Sequence, residues 1–151
     1  MKQIVVVDFL VRSQDGQPIA AIEVKNPQEL SRDDAASLRR NMLAHGMLPR
    51  TPYFLLLSQD TGFLWNESGH KTLNAPTAYE FPMGEVVRRY LPEGDAKERL
   101  RGSQLELVVL QWLLSLTSSS QEVKAEPEKS LAPSGFLDSI KGATIIAEAR
   151  V

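Results

Sequence analysis

The 151-residue sequence contains no cysteine, which excludes a disulfide framework, a thiolate metal site and a cysteine nucleophile. A chain of this kind suits a reducing compartment. Met1-Lys2-Gln3 is followed by only a few apolar residues before Asp8, which is too short a run for a signal peptide. We therefore expect a cytoplasmic protein.

Long apolar runs and an excess of positive charge are also missing. The longest apolar segment, residues 105–116, is too short to cross a membrane, so we expect no membrane association. The formal net charge of −2 is not typical of nucleic-acid-binding proteins, although it leaves room for a local basic face. Hydrophobic and charged contents of 42% and 24% are ordinary for a soluble globular domain.

A β-hairpin is predicted at the start of the chain, where two apolar runs, residues 4–12 and 19–25, flank Gln14-Asp15-Gly16-Gln17. Asp-Gly between apolar runs is typical of a type I′ turn, whose two central residues need positive φ. With Asp15 and Gly16 in those positions, the predicted register pairs Gln14 with Gln17, Arg12 with Ile19, Leu10 with Ala21 and Asp8 with Glu23.

This register sets the carboxylates of Asp8 and Glu23 opposite each other on one face, with Cβ atoms about 5 Å apart. Lys25 lies two residues beyond Glu23 and therefore shares that face. Like charges placed directly opposite destabilise a sheet, so the pair needs a cation or a proton between its members. A solvated strand face with a weak ion pair is the alternative interpretation of Glu-x-Lys. The opposed Asp8, and the strand end at Asn26-Pro27, favour a divalent-metal site.

These residues resemble the PD-(D/E)XK nuclease superfamily, in which an acid on one strand precedes Glu-x-Lys at the end of the next. The local sequence is similar to the nuclease domains of restriction-enzyme motor subunits, through Asp8–Val11, Asp15–Pro18 and Ile22–Asn26, and the similarity covers residues 1–65. Val7 stands where the superfamily often has proline. The family fold usually places a helix and a strand before this hairpin, and that helix often supplies another acidic residue.

The resemblance implies metal-dependent hydrolysis of phosphodiester bonds in nucleic acid, chiefly DNA, in a restriction, defence or repair setting. It implies Mg²⁺ or Mn²⁺ as the cofactor, held by Asp8, Glu23 and the backbone carbonyl of Val24. Asp8, Glu23 and Lys25 are the implied catalytic residues. Lys25 would position or help deprotonate the attacking water and stabilise developing negative charge.

The segments after the hairpin predict an α/β fold. Ser31-Arg32-Asp33-Asp34 has the form of a capping box that opens a helix ending near Gly46. The apolar run 53–58 predicts a strand buried on both faces, followed by a turn and a short strand at 63–65. The expected architecture is restriction-endonuclease-like, a mixed β-sheet flanked by helices.

A loop is expected over 66–82, a short helix over 84–90 and an apolar helix over 105–116. The apolar helix has one continuous stripe and is expected to lie against the sheet or, alternatively, to form a dimer interface. The residues of the stripe are Leu105, Val108, Val109, Trp112, Leu113 and Leu116.

Three segments are expected: a nuclease-like α/β domain over 1–116, a flexible linker over 117–133, and a C-terminal helix-strand extension over 134–151. The linker is rich in Ser, Glu, Lys and Pro. The strand of the extension could add to the sheet, take the place of the strand that the family usually has before the hairpin, or pair with a second subunit.

Other side chains support weaker hypotheses. Arg39 and Arg40 are expected on the exposed face of the first helix, either as phosphate contacts to nucleic acid or as ordinary solvated residues. His45 and His70 lack a second ligand at metal spacing and are expected at the surface. Tyr53 and Trp65 are expected in the core, with stacking on DNA bases as the alternative. Glu29, Glu67 and Glu85 are candidates for extra metal ligands.

Two functional hypotheses from different classes follow. The first is a Mg²⁺-dependent nuclease acting on DNA, which could dimerise through the 105–116 helix or the C-terminal strand. The second is a catalytically inactive nuclease-like fold that acts as a binding or dimerisation module, as the pI of about 5.7 and the apolar helix suggest. A small-anion or nucleotide-phosphate hydrolase is a third option, but no Gly-rich phosphate loop supports it.

Overall fold

The computed structural model describes residues 6–25, 30–47, 51–66, 79–91, 100–118 and 125–150. The strands are β1 (Val6–Arg12), β2 (Pro18–Val24), β3 (Tyr53–Leu57), β4 (Thr61–Asn66), β5 (Tyr79–Pro82) and β6 (Thr144–Arg150). The helices are α1 (Arg32–Ala44), α2 (Gly84–Tyr90), α3 (Gly102–Ser118), α4 (Glu128–Leu131) and α5 (Phe136–Ser139), with a 3₁₀ turn at Ala132–Ser134.

The strands form one mixed sheet in the order β5-β4-β3-β2-β1-β6. Strands β2 and β3 are parallel, and every other adjacent pair is antiparallel. Because two parallel strands need a crossover between them, α1 lies between β2 and β3 in the chain. A mixed α/β fold is thereby confirmed, and β1 and β2 lie in the interior of the sheet.

Two apolar cores cover the two faces of the sheet. Beneath α1, the α1-side core consists of Val7, Leu10, Ala21, Ala35, Phe54, Leu56, Phe63 and Trp65, with Leu38, Met42 and Ile146 packed against it. On the opposite face, the α3-side core unites strand residues such as Ile22 and Leu55 with Leu105, Val109 and Trp112 of α3 and Phe136 of α5. The alternation of side chains along the strands creates most of this division, since successive residues point to opposite faces. Val7 departs from it, because it joins the same core as Leu10 although Phe9 and Val11 belong to the other core.

Both ends of α1 follow the sequence signals. Ser31 caps the first turn, accepting a hydrogen bond from the Asp34 N–H, while the Asp34 side chain accepts one from the Ser31 N–H. At the other end Gly46 has a φ of 65°, and the Met47 N–H donates to the Met42 carbonyl at 2.7 Å. This is a Schellman motif, in which glycine takes the left-handed position that ends the helix.

The hairpin turn differs from the prediction by one residue. The Ser13 N–H donates to the Gln17 carbonyl at 2.8 Å, and Arg12 pairs with Pro18 instead of Ile19. A β-bulge at Ile19 then restores the expected register, because Val11 pairs with Ala20 and Leu10 with Ala21. The bulge offsets the longer turn, so the register predicted for the candidate acidic residues is the one observed beside them.

Two other expectations need correction. The first concerns the expected loop over 66–82. Residues 67–78 lie outside the described residues, and Tyr79–Pro82 forms strand β5. Phe81 of this strand is 1% exposed and belongs to the α3-side core.

The second concerns the expected flexible linker over 117–133. Residues 125–133, which the structure describes, are packed against the rest of the fold. Leu131 is fully buried there, and the Glu128 carboxylate accepts hydrogen bonds from Arg89 and from the indole N–H of Trp112.

The C-terminal segment contains helix α5 and strand β6, and the strand is part of the same sheet. Strand β6 pairs antiparallel with β1 from Val6–Arg150 to Arg12–Thr144, so it adds to the edge of the sheet, one of the three alternatives predicted for it. Phe136 and Ile140 complete the α3-side core. Helix α3 is buried against that core as expected, although Leu107 and Leu114 are 56% and 49% exposed.

No helix in the described part of the chain combines the length and apolar character needed to cross a membrane.

Candidate functional site

The candidate site lies where the β1–β2 ladder ends. The last regular pair is Phe9 with Ile22. One step further, side chains replace the main-chain ladder: the Asp8 N–H donates to Glu23 Oε1 at 3.2 Å, and the Val24 N–H donates to Asp8 Oδ2 at 2.7 Å. The two carboxylates are therefore each tied to the backbone of the opposite strand, which fixes their positions beside each other.

Glu23 is buried, whereas Lys25 reaches solvent. Glu23 is 7% exposed, and its Oε2 lies 3.8 Å from the Nζ of Lys25, whose side chain is 49% exposed. The Lys25 N–H donates to the Leu57 carbonyl of β3 at 2.8 Å, which anchors the backbone at the end of β2. These contacts bring Asp8, Glu23 and Lys25 together at the end of β2.

The electrostatics of the pair favour a bound proton or cation. Burial, with a further contribution from the neighbouring Asp8 carboxylate, raises the pKa of Glu23 from its ordinary 4.5 to about 7. The Lys25 ammonium acts in the opposite direction but does not cancel this effect. Near neutral pH the site therefore holds a carboxylate whose negative charge is only partly compensated.

The donor set of the site consists of oxygen atoms. The N–H and C=O of a strand residue point to the same neighbouring strand, so the Val24 carbonyl is directed to the β1 side, where its N–H meets Asp8. Two carboxylates and this carbonyl suit a hard cation such as Mg²⁺, which uses one or two protein carboxylates and keeps several waters. Among the described side chains no group of three or more His, Cys, Asp or Glu residues is placed to hold a metal ion.

The two arginines of the nucleic-acid hypothesis occupy different environments. Arg39 is 2% exposed, and its guanidinium carbon lies 5.9 Å from the centre of the Trp65 ring, so the prediction that it lies on the exposed face of α1 is wrong. The helix turns this position toward the sheet, where the cation stacks on an aromatic ring. Arg40 is exposed as expected and donates a hydrogen bond to Ser37 at 3.1 Å.

The remaining candidates are placed as follows. Trp65 stacks on Phe54, with ring centroids 5.6 Å apart, and Tyr53 donates to the Ser134 carbonyl at 3.2 Å, so both are core residues. His45 is exposed at the end of α1. Glu85 is exposed on α2, where it pairs with Arg88, and its neighbour Val86 packs into the α3-side core. Glu29, Glu67 and His70 lie outside the described residues.

Two features of the site were missed in the sequence. The hydrogen bonds between each carboxylate and the backbone of the opposite strand replace regular main-chain pairing at Asp8. The register of a hairpin, read from its turn, does not predict where that pairing stops. The burial of Arg39 could have been inferred, since Ala35, Arg39 and Met42 follow a helical spacing toward one side of α1.

The chain matches no protein-family model, and no curated protein or solved structure is significantly similar to it. The nuclease resemblance therefore depends on the residues of the hairpin and on the geometry described above.

Proposed function

We propose that this protein is a Mg²⁺- or Mn²⁺-dependent nuclease that hydrolyses phosphodiester bonds, with DNA as its substrate. The observation that carries the proposal is the arrangement at the end of the β1–β2 ladder. There the Asp8 and Glu23 carboxylates are each bonded to the opposite strand, and the Lys25 ammonium lies 3.8 Å from Glu23. The same three residues carry the PD-(D/E)XK resemblance.

The residues of the site would have two roles, binding of the cation and stabilisation of negative charge. Asp8, Glu23 and the Val24 carbonyl would hold the cation, which when bound supplies charge neutralisation at the scissile phosphate. Lys25 is half-exposed and can donate a hydrogen bond both toward the attacking water and toward the phosphate oxygens. Glu23, whose Oε2 lies 3.8 Å from the Lys25 ammonium, would keep that ammonium near a bound cation, where negative charge would develop.

Burial explains why the cation would bind here. Leaving the ionised Glu23 buried beside Asp8 is unfavourable, as its raised pKa of about 7 shows. A divalent cation removes that repulsion, so binding is favoured by the relief of charge as well as by coordination. Metal binding releases the proton of Glu23, and we therefore expect the affinity for Mg²⁺ to increase between pH 6 and pH 8, roughly the range in which Glu23 ionises.

The proposal is tested by incubating the purified protein with supercoiled plasmid and with linear single- and double-stranded DNA, in Mg²⁺, Mn²⁺ or chelator. Cleavage is expected only with the metal. Asp8→Asn and Lys25→Met should each lower the cleavage rate at least about a hundredfold, the scale of a lost catalytic group.

Matched controls lie elsewhere on the surface. Asp138 and Lys141 form an exposed ion pair at 3.3 Å, so Asp138→Asn and Lys141→Met make the same chemical changes away from the site and should leave cleavage unchanged. Circular dichroism checks that each variant is folded. Undiminished cleavage by folded Asp8→Asn would assign the activity to another site or to a contaminant.

A second candidate function is a catalytically inactive module that dimerises or binds a partner. It is favoured by Leu107 and Leu114, which are seven residues apart on α3 and therefore share a face, and which are 56% and 49% exposed. Sedimentation equilibrium of the wild type and of Leu107→Glu tests it. A dimer that dissociates in the variant would support this function, and a monomeric wild type would remove support for dimerisation.

A further inference from the structure

Strand β6 is an edge of the sheet that lacks the features by which edges are usually protected. In the described part of the chain, its only neighbouring strand is β1. Edge strands are commonly short or carry charge or proline, because their unpaired N–H and C=O groups can pair with another chain. The other edge strand, β5, has four residues and includes Glu80 and Pro82. The first four residues of β6, 144–147, are Thr-Ile-Ile-Ala, without charge or proline.

Backbone hydrogen bonds fix the direction in which residues of β2 and β1 point their N–H and C=O groups. The Val24 N–H is directed to β1, and the Lys25 N–H is directed to β3, where it meets the Leu57 carbonyl. This direction alternates from one residue to the next, so Ile22 points its backbone groups to β1, as Val24 does. Phe9 lies directly opposite Ile22 and therefore points its backbone groups to β2.

The same alternation identifies the backbone groups of β6 that point away from the sheet. Leu10 follows Phe9, so it points its backbone groups to β6, where its partner is Ile146. Ile146 accordingly points back to β1. Its two neighbours, Ile145 and Ala147, therefore point their N–H and C=O groups to the free edge. At these two positions the edge offers two donors and two acceptors, placed symmetrically about Ile146.

The side chains of this stretch leave both apolar cores partly open at the edge. Ile145 is partly buried against the α3-side core and Ile146 against the α1-side core. Thr144 and Ala147 are exposed. A further strand beside β6 would cover what remains exposed of the two isoleucines, and burial of apolar surface favours such an addition.

We propose that the free edge of β6 is a homodimer interface, in which two copies of this chain pair their β6 strands antiparallel about a two-fold axis at Ile146. In this register Ile145 of each copy exchanges hydrogen bonds with the partner's Ala147. The two Ile146 side chains lie opposite each other, with Cα atoms about 4.5 Å apart, and connect the α1-side cores of the two copies.

A second copy of the chain is the partner that this edge fits. An interface about a two-fold axis must be self-complementary, and the outward donors and acceptors are arranged symmetrically about one residue. The four residues 144–147 carry no charge, so two copies meet there without repulsion. The inference goes beyond the proposed nuclease function and does not depend on it.

Cysteine cross-linking tests the register of the pairing, because the sequence contains no cysteine of its own. Ile146→Cys places two thiols across the two-fold axis, with Cα atoms close enough for a disulfide, so mild oxidation should give a covalent dimer on a denaturing gel. Ile145→Cys is the matched control. Its two copies would lie about 8 Å apart, beyond the reach of a disulfide, and should cross-link at least about tenfold more slowly. Equal cross-linking of the two variants would overturn the proposed pairing.

Sedimentation equilibrium of the wild type and Ala147→Pro measures the association itself. Proline at this position removes an N–H that points outward, so the bonds between β6 and β1 remain, and edge strands tolerate proline for this reason. Each copy loses one donor to its partner, and we expect the dimer to dissociate at least about tenfold more readily. Circular dichroism checks that the variant is folded, and the cysteine variants decide the question if it is not.

Two results of the sedimentation experiment would overturn the interface. One is a wild type that remains monomeric, and the other is a dimer that persists undiminished in folded Ala147→Pro. If that persistent dimer dissociates in Leu107→Glu, the association belongs to α3 instead. Either result leaves the cleavage test of Asp8→Asn unaffected, so the nuclease proposal would stand or fall separately.

Discussion

At the scale of single residues, the buried position of Glu23 lowers the stability of the fold when its carboxylate is ionised. An ionised glutamate at an exposed strand position keeps its hydration and costs little free energy. Glu23, in contrast, is 7% exposed and lies beside a second carboxylate, that of Asp8. Carboxylates with perturbed pKa values are more frequent at active sites than elsewhere, which agrees with the function proposed above. The alternative interpretation, a weak Glu23–Lys25 ion pair on a solvated strand face, is disfavoured because Glu23 is buried.

The raised pKa of Glu23 predicts a pH dependence of stability. The folded state retains the proton of Glu23 up to about pH 7, whereas the unfolded chain releases it near pH 4.5. The folded state therefore binds more protons between these values, and the free energy of unfolding falls as the pH rises through this window. The loss attributable to Glu23 is on the order of 1–3 kcal/mol.

Urea unfolding of the wild type and Glu23→Gln at pH 5 and pH 8 measures this effect. Glu23→Gln removes the ionisation, so its stability relative to the wild type should increase from pH 5 to pH 8 by that amount. Glu85→Gln, an exposed site, should track the wild type at both values. An equal response of all three proteins to pH would show that Glu23 ionises normally in the folded state.

At the scale of secondary-structure elements, the close approach of β4 and β5 depends on one glycine. A Cβ atom built on Gly62 would lie 2.2 Å from the Phe81 ring and 2.9 Å from Leu57, so the buried ring of Phe81 or the backbone of β4 would have to shift to admit it. We expect Gly62→Ala to lower the free energy of unfolding by about 1–3 kcal/mol.

The control for this substitution is Gly102→Ala at the start of α3, where a Cβ meets nothing within 4 Å. Alanine there should be neutral or stabilise the protein by up to about 1 kcal/mol, because it favours the helix and restricts the unfolded chain. Chemical denaturation of both variants gives the comparison. A Gly62→Ala protein as stable as Gly102→Ala would mean that β5 does not pack on β4 as described.

The elements also show what could be predicted from the sequence. Local chemistry specified α1, because the capping box at Ser31 and Asp34 and the Gly46 cap act within a few residues. The register beside Asp8 was predicted correctly although the turn was not, because the bulge at Ile19 offsets the extra turn residue. Strand β5 and the packed segment at 125–131 were missed, since each is held by distant partners, such as Gly62 for Phe81 and Trp112 for Glu128.

At the scale of the whole molecule, the sheet joins the first and the last of the described strands. Strand β6 pairs with β1 along its length, and α5 packs into the same core as α3. We therefore expect the described segments to unfold as one cooperative unit, instead of as a domain with a separable C-terminal extension.

The two tryptophans test this cooperativity. Trp65 lies in the α1-side core and Trp112 in the α3-side core, so the single-tryptophan variants Trp65→Phe and Trp112→Phe report on opposite faces of the sheet. In each variant, the fluorescence and far-UV circular dichroism transitions in urea should coincide. A fluorescence midpoint that separates from the circular dichroism midpoint in either variant would reveal two units.

The central claim is that the end of the β1–β2 ladder binds a divalent cation, and titration calorimetry with Mn²⁺ at pH 8, where Glu23 is ionised, tests it most directly. The wild type and Asp138→Asn should bind Mn²⁺, while folded Asp8→Asn should show no binding heat. A folded wild type that gives no heat, or an Asp8→Asn protein that binds as tightly as the wild type, would contradict the metal site and the nuclease function proposed from it.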